Sequence, residues 1–335
     1  MKMIDNKGFM STCKLCPRRC GIDRNSGEKG ICGQTSKVKV ARAALHMWEE
    51  PCISGSKGSG TVFFSGCALH CVFCQNHNIA NGEVGKEITI ERLAEIFLEL
   101  QEKGANNINL VTAGQFVPQI VEALKKAKEN GLHLPVVYNT SSYENVETLK
   151  LLEGYVDIYL PDLKYVDSEL SQRYSHAPDY FQRAKEAIEE MVRQTGKMEF
   201  ALESVGAESG VVEGDGRRKI GIEEYQARSE QGEELVMIRG VIVRHLLLPG
   251  CVEDSKKVLK YLLEQYGNRI FISIMNQYTP LPHVASYPEL NRKVTIEEYE
   301  EVVDYAVELG IENGFIQEGE AAEESFIPEF DERGV

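Results

Sequence analysis

Residues 60–78 read GTVFFSGCALHCVFCQNHN, a short apolar run followed by three closely spaced cysteines. Cys67, Cys71 and Cys74 have the spacing C-x3-C-x2-C on one short loop. Three thiolates in such a loop can converge on a single soft metal centre. A structural zinc site closes with four ligands, whereas three leave one position open for a substrate or cofactor. The alternative is three unligated thiols in a buried turn, but scattered core cysteines rarely occur three to a loop.

Around this stretch, short β-rich runs alternate with segments of helical periodicity. The predicted strands are 61–66, 107–112, 134–140, 156–163, 240–248 and 269–275. The predicted helices are 91–103, 117–130, 143–152, 179–194, 252–266 and 295–309, and Thr89 and Thr295 are placed to cap two of them. Six strand–helix units indicate an α/β fold with a parallel sheet and right-handed crossovers. We expect a partial (β/α)6 TIM-like barrel.

In such a barrel the loops at the carboxyl ends of the strands form the active face. The cysteine loop follows the first predicted strand and therefore lies on that face. Polar groups and glycines follow later strands: Thr112 to Gln115, Asn139 to Ser141, Asp162 and Lys164, Arg244 and His245, and Asn276 to Tyr278. Each group alone is typical of an ordinary turn or cap, but their shared placement at strand ends favours a common site. Gly114 would let the backbone approach a ligand closely.

A second group of four cysteines precedes the barrel. Its sequence is CKLCPRRCGIDRNSGEKGICG, residues 13–33, with Cys13, Cys16, Cys20 and Cys32 separated by two, three and eleven residues. Four cysteines among turn residues indicate a closed tetrathiolate site. Zinc and a fully ligated [4Fe–4S] cluster both satisfy the count, and uncoordinated thiols are the remaining alternative. Bound metal would supply the folding energy of this small segment.

Length and composition restrict the class of protein. A chain of 335 residues can bury the core of one large α/β domain or of two domains. The formal charge of −15 disfavours a general nucleic-acid or anionic-membrane surface. No run approaches the ~18 apolar residues of a membrane span, and the first residues lack the apolar region of a secretory signal. Eight of the nine cysteines precede residue 75, so we expect metal ligation in a reducing cytoplasm.

The pattern predicts three regions along the chain. Residues 1–50 are a small N-terminal metal-binding segment and linker, and residues 51–317 are the barrel. An insertion at about 196–238 is Gly- and Glu-rich, and it is consistent with a hairpin, a mobile lid or disorder. Residues 318–335 are an acidic C-terminal tail, which we expect to be solvated and mobile.

At Cys67, Cys71 and Cys74 the sequence resembles the radical S-adenosylmethionine (radical SAM) enzymes, with Phe73 before the last cysteine as part of the pattern. It is more similar to pyruvate formate-lyase activating enzyme and its uncharacterised relatives. The residues that carry this similarity are Cys74-Gln75-Asn76, Asp162-Leu163-Lys164 and RHLLLPG, residues 244–250. The four-cysteine segment resembles a subgroup of these homologues. Thr112-Ala113-Gly114-Gln115 departs from the Gly-Gly-Glu that many radical SAM proteins have after the second strand.

The resemblance implies a [4Fe–4S] cluster on Cys67, Cys71 and Cys74, with S-adenosylmethionine (SAM) chelating the fourth iron. Reduction would then release methionine and a 5′-deoxyadenosyl radical that abstracts hydrogen from a substrate. The residues implied to bind SAM are Phe73, near the adenine, with Asn76, Gly114, Asp162 and Lys164. The implied partners are a glycyl radical enzyme or another protein substrate, and a flavodoxin- or ferredoxin-type electron donor.

Two other functions fit parts of the sequence. An iron–sulfur electron carrier would need a fourth ligand for the three-cysteine loop, from Cys52 or the distant Cys251. The other alternative is a zinc-stabilised binding protein without catalysis.

Overall fold

A computed structural model of the chain describes residues 6–202, 218–317 and 328–335. The strands are β1 Val38–His46, β2 Ser59–Phe64, β3 Lys86–Ile88, β4 Ile108–Val111, β5 Val136–Thr140, β6 Ile158–Pro161, β7 Glu199–Leu202, β8 Arg218–Ile220, β9 Leu235–Leu246, β10 Phe271–Met275 and β11 Gly314–Ile316. The helices are α1 Asn6–Ser11, α2 Pro51–Ser54, α3 His77–Ala80, α4 Ile90–Glu102, α5 Val117–Glu129, α6 Val146–Leu149, α7 Ser168–Ser175, α8 Tyr180–Thr195, α9 Ile222–Ser229, α10 Val252–Tyr266 and α11 Ile296–Glu308. None of these helices is long and apolar enough to cross a membrane.

The strands form an open barrel-like sheet in the order β11-β10-β9-β6-β5-β4-β2-β1-β3. Seven neighbouring strands of this sheet pair in parallel, namely β11, β10, β9, β6, β5, β4 and β2. On the other side of β2 the pairing is antiparallel, with β1 beside β2 and β3 beside β1. The α/β class and the six predicted parallel strands are therefore confirmed. The seventh strand, β11, has three residues and was not predicted because so short a run carries no period.

Helix ends follow the capping chemistry in the sequence. The Thr89 hydroxyl accepts a hydrogen bond from the Arg92 amide, and Thr295 forms a reciprocal capping box with Glu298. The predicted helix 143–152 is shorter than expected, because α6 is followed by a 3-10 turn at Lys150–Leu152.

The two largest hydrophobic clusters of the described residues hold the barrel together. The larger core packs the outer face of the sheet against α4, α5, α8, α10 and α11. The smaller core, here called the lower core, is formed where side chains of β5, β6, β9 and β10 pack against α2 and the hairpin β7–β8. Cys52 belongs to this second core and is 1% exposed.

The insertion at 196–238 is a hairpin extension where the structure describes it. β7 pairs with β8 and with the first half of β9, so β9 begins at Leu235 and not at 240. Phe200 stacks on Tyr225 of α9 at 3.9 Å between ring centroids, which joins the hairpin to the lower core. Residues 203–217 lie outside the described residues.

The C-terminal tail corrects a prediction. Residues 328–335 are not a solvated extension but pack along β1, where the Ala43 amide donates to the Arg333 carbonyl at 2.8 Å. Phe330 contacts Phe63 edge-on with 5.4 Å between centroids. The acidic composition predicted mobility, but one aromatic residue and two backbone hydrogen bonds outweigh it here. Residues 318–327 lie outside the described residues.

Candidate active site

The carboxyl ends of the parallel strands surround an open cavity of about 390 Å³, here called the barrel cavity. Its wall contains the three cysteines of the loop after β2, which we call the cysteine loop (residues 65–76). The predicted SAM-binding residues Phe73, Asn76, Asp162 and Lys164 line the same cavity. The structure therefore brings together seven of the eight residues that the sequence assigned to this site.

Hydrogen bonds hold the cysteine loop against its neighbours. The Ser175 hydroxyl donates to Cys71 Sγ at 3.2 Å, and the Leu69 amide donates to Cys67 Sγ at 3.4 Å. The Gln75 amide group donates to the Gln277 carbonyl at 2.7 Å, which ties the loop to the end of β10. These contacts fix where the thiols point, as preorganised metal ligands require.

Burial raises the pKa of the Cys71 thiol to about 11, although the positive charge of Lys164 opposes the shift. Burial likewise raises the pKa of Cys74 to about 12, and the other two cysteines of the loop add to the effect. Bare thiolates are therefore unfavourable here, and a bound cationic centre would compensate them. The soft donors and the shared cavity wall fit an iron–sulfur cluster.

No three cysteine, histidine, aspartate or glutamate side chains within residues 6–202, 218–317 and 328–335 converge tightly enough to hold a single ion. A [4Fe–4S] cluster has a different requirement, because each thiolate binds a separate iron.

A buried ionic network lines the same cavity as the cysteines. Asp162 accepts hydrogen bonds from Arg244 Nε at 2.9 Å and from Lys164 Nζ at 2.7 Å. Burial alone would raise the pKa of Asp162, but the two cations outweigh it and hold this pKa below its usual range. Burial would lower the pKa of Lys164, and Asp162 more than reverses this. Both groups are therefore charged at neutral pH.

Glu49 and Glu50 complete the network and were not predicted from the sequence. Arg244 Nη1 donates to Glu49 Oε2 at 3.2 Å, and Asn109 Nδ2 donates to Glu49 Oε1 at 2.9 Å. Glu50 Oε2 is buried without a hydrogen-bond partner among the described residues. The only signal in the sequence is a pair of acidic residues between Trp48 and Pro51, which by itself reads as a solvated linker.

The predicted SAM-binding residue Gly114 lies elsewhere. It lines a smaller enclosed cavity, here called the N-terminal cavity, together with Cys13, Cys16, Cys20 and Cys32. The Cβ of any larger residue at this position would come within 2.8 Å of the Glu144 carboxylate. Burial raises the pKa of Glu144 to about 7. A larger residue at position 114 would therefore have to displace the Glu144 carboxylate beside the four cysteines.

Cys52 and Cys251, the two possible fourth ligands of an electron carrier, do not line the barrel cavity. Cys52 is in the lower core, and Cys251 is the N-cap residue of α10.

Residues 61–198 match the sequence model of the Radical SAM superfamily. This part of the chain, from β2 to the end of α8, is a radical SAM domain, and the barrel with the cysteine loop after its first parallel strand agrees with that. The chain therefore contains a radical SAM domain, and domains of this class bind a [4Fe–4S] cluster and SAM.

Two curated proteins illustrate its place in the superfamily. An uncharacterized protein of Methanocaldococcus jannaschii is 26% identical over 320 residues, which are 93% of this chain and 79% of that protein. Pyruvate formate-lyase-activating enzyme of Clostridium pasteurianum is 31% identical over 114 residues, 32% of this chain and 46% of that enzyme. The chain thus spans less than half of the Clostridium enzyme. The resemblance to that group, inferred from the sequence, is confirmed.

Among solved structures, SuiB of Streptococcus suis bound to S-adenosylmethionine is similar in fold, with a TM-score of 0.46 and 13% sequence identity. The superposed region covers 76% of this chain and 49% of the SuiB chain. A likeness of this size bears on neither substrate nor mechanism.

Proposed function

We propose that this protein cleaves SAM reductively at a [4Fe–4S] cluster held by Cys67, Cys71 and Cys74. The observation that carries the proposal is that these thiols and the Asp162–Lys164 ion pair line one cavity. When bound, the cluster supplies one electron to the sulfonium of SAM, which gives methionine and a 5′-deoxyadenosyl radical.

The residues of the chain bind and orient SAM in this proposal. Lys164 is a point charge for the SAM carboxylate, and Asp162 holds it in place. Phe73 is 5% exposed and packs against Tyr165 and Tyr278 with 6.4 and 6.3 Å between ring centroids, so it offers a rigid apolar wall to the adenine. Asn76 adds a polar group at the same wall.

The substrate in this proposal is a protein segment, specifically the glycyl loop of a glycyl radical enzyme. Among the strands within residues 6–202, 218–317 and 328–335, no pairing joins β11 to β1 or β3, so the sheet that these strands form does not close into a full barrel. Residues of β1 and of β11 both line the mouth of the barrel cavity. Trp48 and Ile316 lie at this mouth and are 63% and 47% exposed. Exposed apolar side chains beside a cavity favour docking of a large partner.

Three further assignments belong to the same proposal. Residues 1–50 form a metal-binding segment on the barrel of residues 51–317, with Cys13, Cys16, Cys20 and Cys32 as ligands of a second cluster or, if their thiols draw closer together, of zinc. The electron donor is of the flavodoxin or ferredoxin type. The protein works in the cytoplasm.

The first test is anaerobic reconstitution with iron and sulfide, reduction with dithionite, and quantification of 5′-deoxyadenosine. We expect cleavage by the wild-type chain and none by Cys71→Ala. Cys52→Ala is the matched control, since it removes a buried thiol from the lower core and should retain cleavage. A fully loaded, reduced wild-type chain that forms no 5′-deoxyadenosine would refute the proposal.

The second test concerns the substrate. Pyruvate formate-lyase labelled with α-deuterated glycine serves as the probe, and we expect deuterium in the 5′-deoxyadenosine. Trp48→Ala should reduce this transfer more than it reduces cleavage without the partner. Unlabelled 5′-deoxyadenosine would remove this glycyl substrate from the proposal and leave SAM cleavage standing.

A further inference from the structure

The four N-terminal cysteines surround one enclosed cavity, although 18 residues separate the first from the last in the sequence. Backbone hydrogen bonds close the segment on itself, with the Cys13 amide donating to Ile22 at 2.9 Å and Gly21 donating to Cys13 at 2.9 Å. The Ile31 amide donates to Cys20 Sγ at 3.4 Å. Amide donors to sulfur are among the contacts that set the potential of iron–sulfur clusters.

Arg24 is a buried cation that faces this cavity. Its side chain is 1% exposed, and its guanidinium donates to the carbonyls of Thr35 and Gln115. Nη1 lies 3.9 Å from Cys13 Sγ. Among the ion pairs of the described residues, none joins Arg24 to a carboxylate. A buried charge without a counter-charge is costly, so an anionic centre held by the cysteine thiolates would balance it.

The N-terminal segment is fastened directly to the cysteine loop. Arg18 donates to the Ala68 carbonyl at 2.9 Å and to the Leu69 carbonyl at 3.2 Å. The His70 ring nitrogen is hydrogen-bonded to the Ile31 carbonyl at 2.8 Å. Gly66 has φ of 87°, and a side chain there would clash with the Cys32 carbonyl oxygen. The two cysteine groups therefore approach each other backbone to backbone.

Cys67 joins the two sites. It lines the N-terminal cavity with the four cysteines, and it lines the barrel cavity with Cys71 and Cys74. A zinc ion at the N-terminal cysteines would stabilise the segment but could carry no electron, because zinc has no redox chemistry in proteins. A redox centre held by the N-terminal cysteines would be close to the SAM-binding cluster, because Cys67, a proposed ligand of that cluster, lines both cavities.

On the basis of the proposed function, we infer that Cys13, Cys16, Cys20 and Cys32 hold a second [4Fe–4S] cluster. This cluster relays electrons to the SAM-binding cluster, and Cys67, which lines both cavities, lies between the two. One electron moves in each relay step. A low-potential flavodoxin- or ferredoxin-type donor is oxidised by one electron, the N-terminal cluster is reduced and then reoxidised, and the SAM-binding cluster ends reduced. Arg24 stabilises the reduced, more negative state of the N-terminal cluster.

Metal content is tested in the full chain with Cys67, Cys71 and Cys74 all replaced by alanine. After anaerobic purification and reconstitution, we expect about four iron and four sulfide per chain and an EPR signal on reduction. One zinc per chain without iron overturns the inference. The variant reports on the N-terminal site alone, so the result does not depend on SAM cleavage.

The charge of Arg24 is tested with a matched pair, Arg24→Gln and Arg24→Lys. Both variants lose the guanidinium hydrogen bonds, but only lysine keeps the positive charge. In Arg24→Gln we expect the equilibrium constant for one-electron reduction of the N-terminal cluster to fall about tenfold, which lowers its reduction potential by about 59 mV. In Arg24→Lys we expect a potential closer to that of the wild type. Equal potentials in the two variants would show that Arg24 acts only through packing.

The relay is tested by comparing two reductants, reduced flavodoxin and dithionite. In Cys32→Ser and in Arg24→Gln, we expect the flavodoxin-driven formation of 5′-deoxyadenosine to fall about tenfold relative to the dithionite-driven rate of the same variant. An unchanged ratio in both variants refutes the relay. Failure of the proposed function gives a different result, because the wild-type chain would then form no 5′-deoxyadenosine with either reductant.

Discussion

Arg244 of β9 and Asp162 at the end of β6 are joined by a 2.9 Å hydrogen bond between Nε and Oδ1, although they are 82 residues apart. Their side chains are 13% and 14% exposed, so the pair is largely removed from solvent. Asp162 is the anion that both Arg244 and Lys164 share. The pair is therefore part of the charged wall of the barrel cavity, which it shares with Lys164 and Glu49.

Replacing Asp162 by asparagine leaves Arg244 and Lys164 with one carboxylate fewer between them. Removal of one partner of a buried ion pair leaves the other charge buried without compensation. We therefore expect Asp162→Asn to lower the free energy of unfolding by about 3 kcal/mol. Equilibrium urea unfolding measures this, and isothermal titration of the reconstituted protein should show weaker SAM binding. The control is Glu129→Gln in the exposed Lys125–Glu129 pair, which should cost less than about 1 kcal/mol. Equal costs for the two variants would contradict the prediction.

The sequence predicts those parts of the site that depend on local pattern. The cysteine spacing, the strand–helix alternation and the Asp162–Lys164 pair at a strand end are each visible within a few residues. Glu49 was missed because its partner Arg244 is 195 residues away and its own surroundings look like a linker. The position of Gly114 depends on how the N-terminal segment packs over β4 and β5, which no local pattern encodes. The packing of residues 328–335 on β1 was not predicted, because the acidic composition of the tail indicates a solvated segment. The one aromatic ring that contacts the barrel, Phe330, gives no pattern in the sequence.

Gln115 holds the cysteine loop from below, and its removal should affect the cluster. Its amide group donates to the carbonyls of Ser65 at 2.9 Å and Gly66 at 3.0 Å, just before Cys67. In Gln115→Leu these buried carbonyls lose their donor, at a cost of about 1–3 kcal/mol in the free energy of unfolding. We expect less 5′-deoxyadenosine per chain and a weaker SAM-dependent change in the EPR spectrum of the reduced cluster.

Gln119 provides the control for that experiment. It is also buried, and its amide group donates to the Ser36 carbonyl at 2.7 Å, away from the cysteine loop. Gln119→Leu should lower stability by a similar amount, about 1–3 kcal/mol, and keep the EPR response to SAM. If the two variants lose that response equally, Gln115 has no special role at the loop.

The docked C-terminal segment should stabilise the β1 edge. Phe330 packs on Phe63, which itself lines the barrel cavity, and Arg42 pairs with Asp331 at 2.8 Å. We expect Phe330→Ala to lower the free energy of unfolding by about 1–2 kcal/mol, because the half-buried ring loses its apolar contacts. Thermal unfolding measures the change, and Glu329→Ala, an exposed neighbour, is the control. A tail in solvent would show no difference between the two variants.

His245 is a buried imidazole within β9 that makes the stability of the barrel dependent on pH. Its ring nitrogens are hydrogen-bonded to the Leu163 carbonyl at 2.7 Å and to the Ser255 hydroxyl at 2.8 Å. Burial lowers the pKa of His245 to about 4, with Lys164 adding to the effect. The unfolded chain, with a histidine pKa of about 6.5, therefore binds a proton at a higher pH than the folded chain does.

This difference sets the direction of the last prediction. The stabilising contribution of neutral His245 is complete above about pH 6.5 and is lost as the pH falls from there towards 4. Between pH 7 and pH 4.5 we expect the wild-type chain to lose about 2–3 kcal/mol more unfolding free energy than His245→Gln, which keeps hydrogen-bonding groups but does not titrate. Urea unfolding of both proteins at the two pH values measures this. Parallel losses in the two proteins would show that other groups, such as buried carboxylates, account for the acid sensitivity.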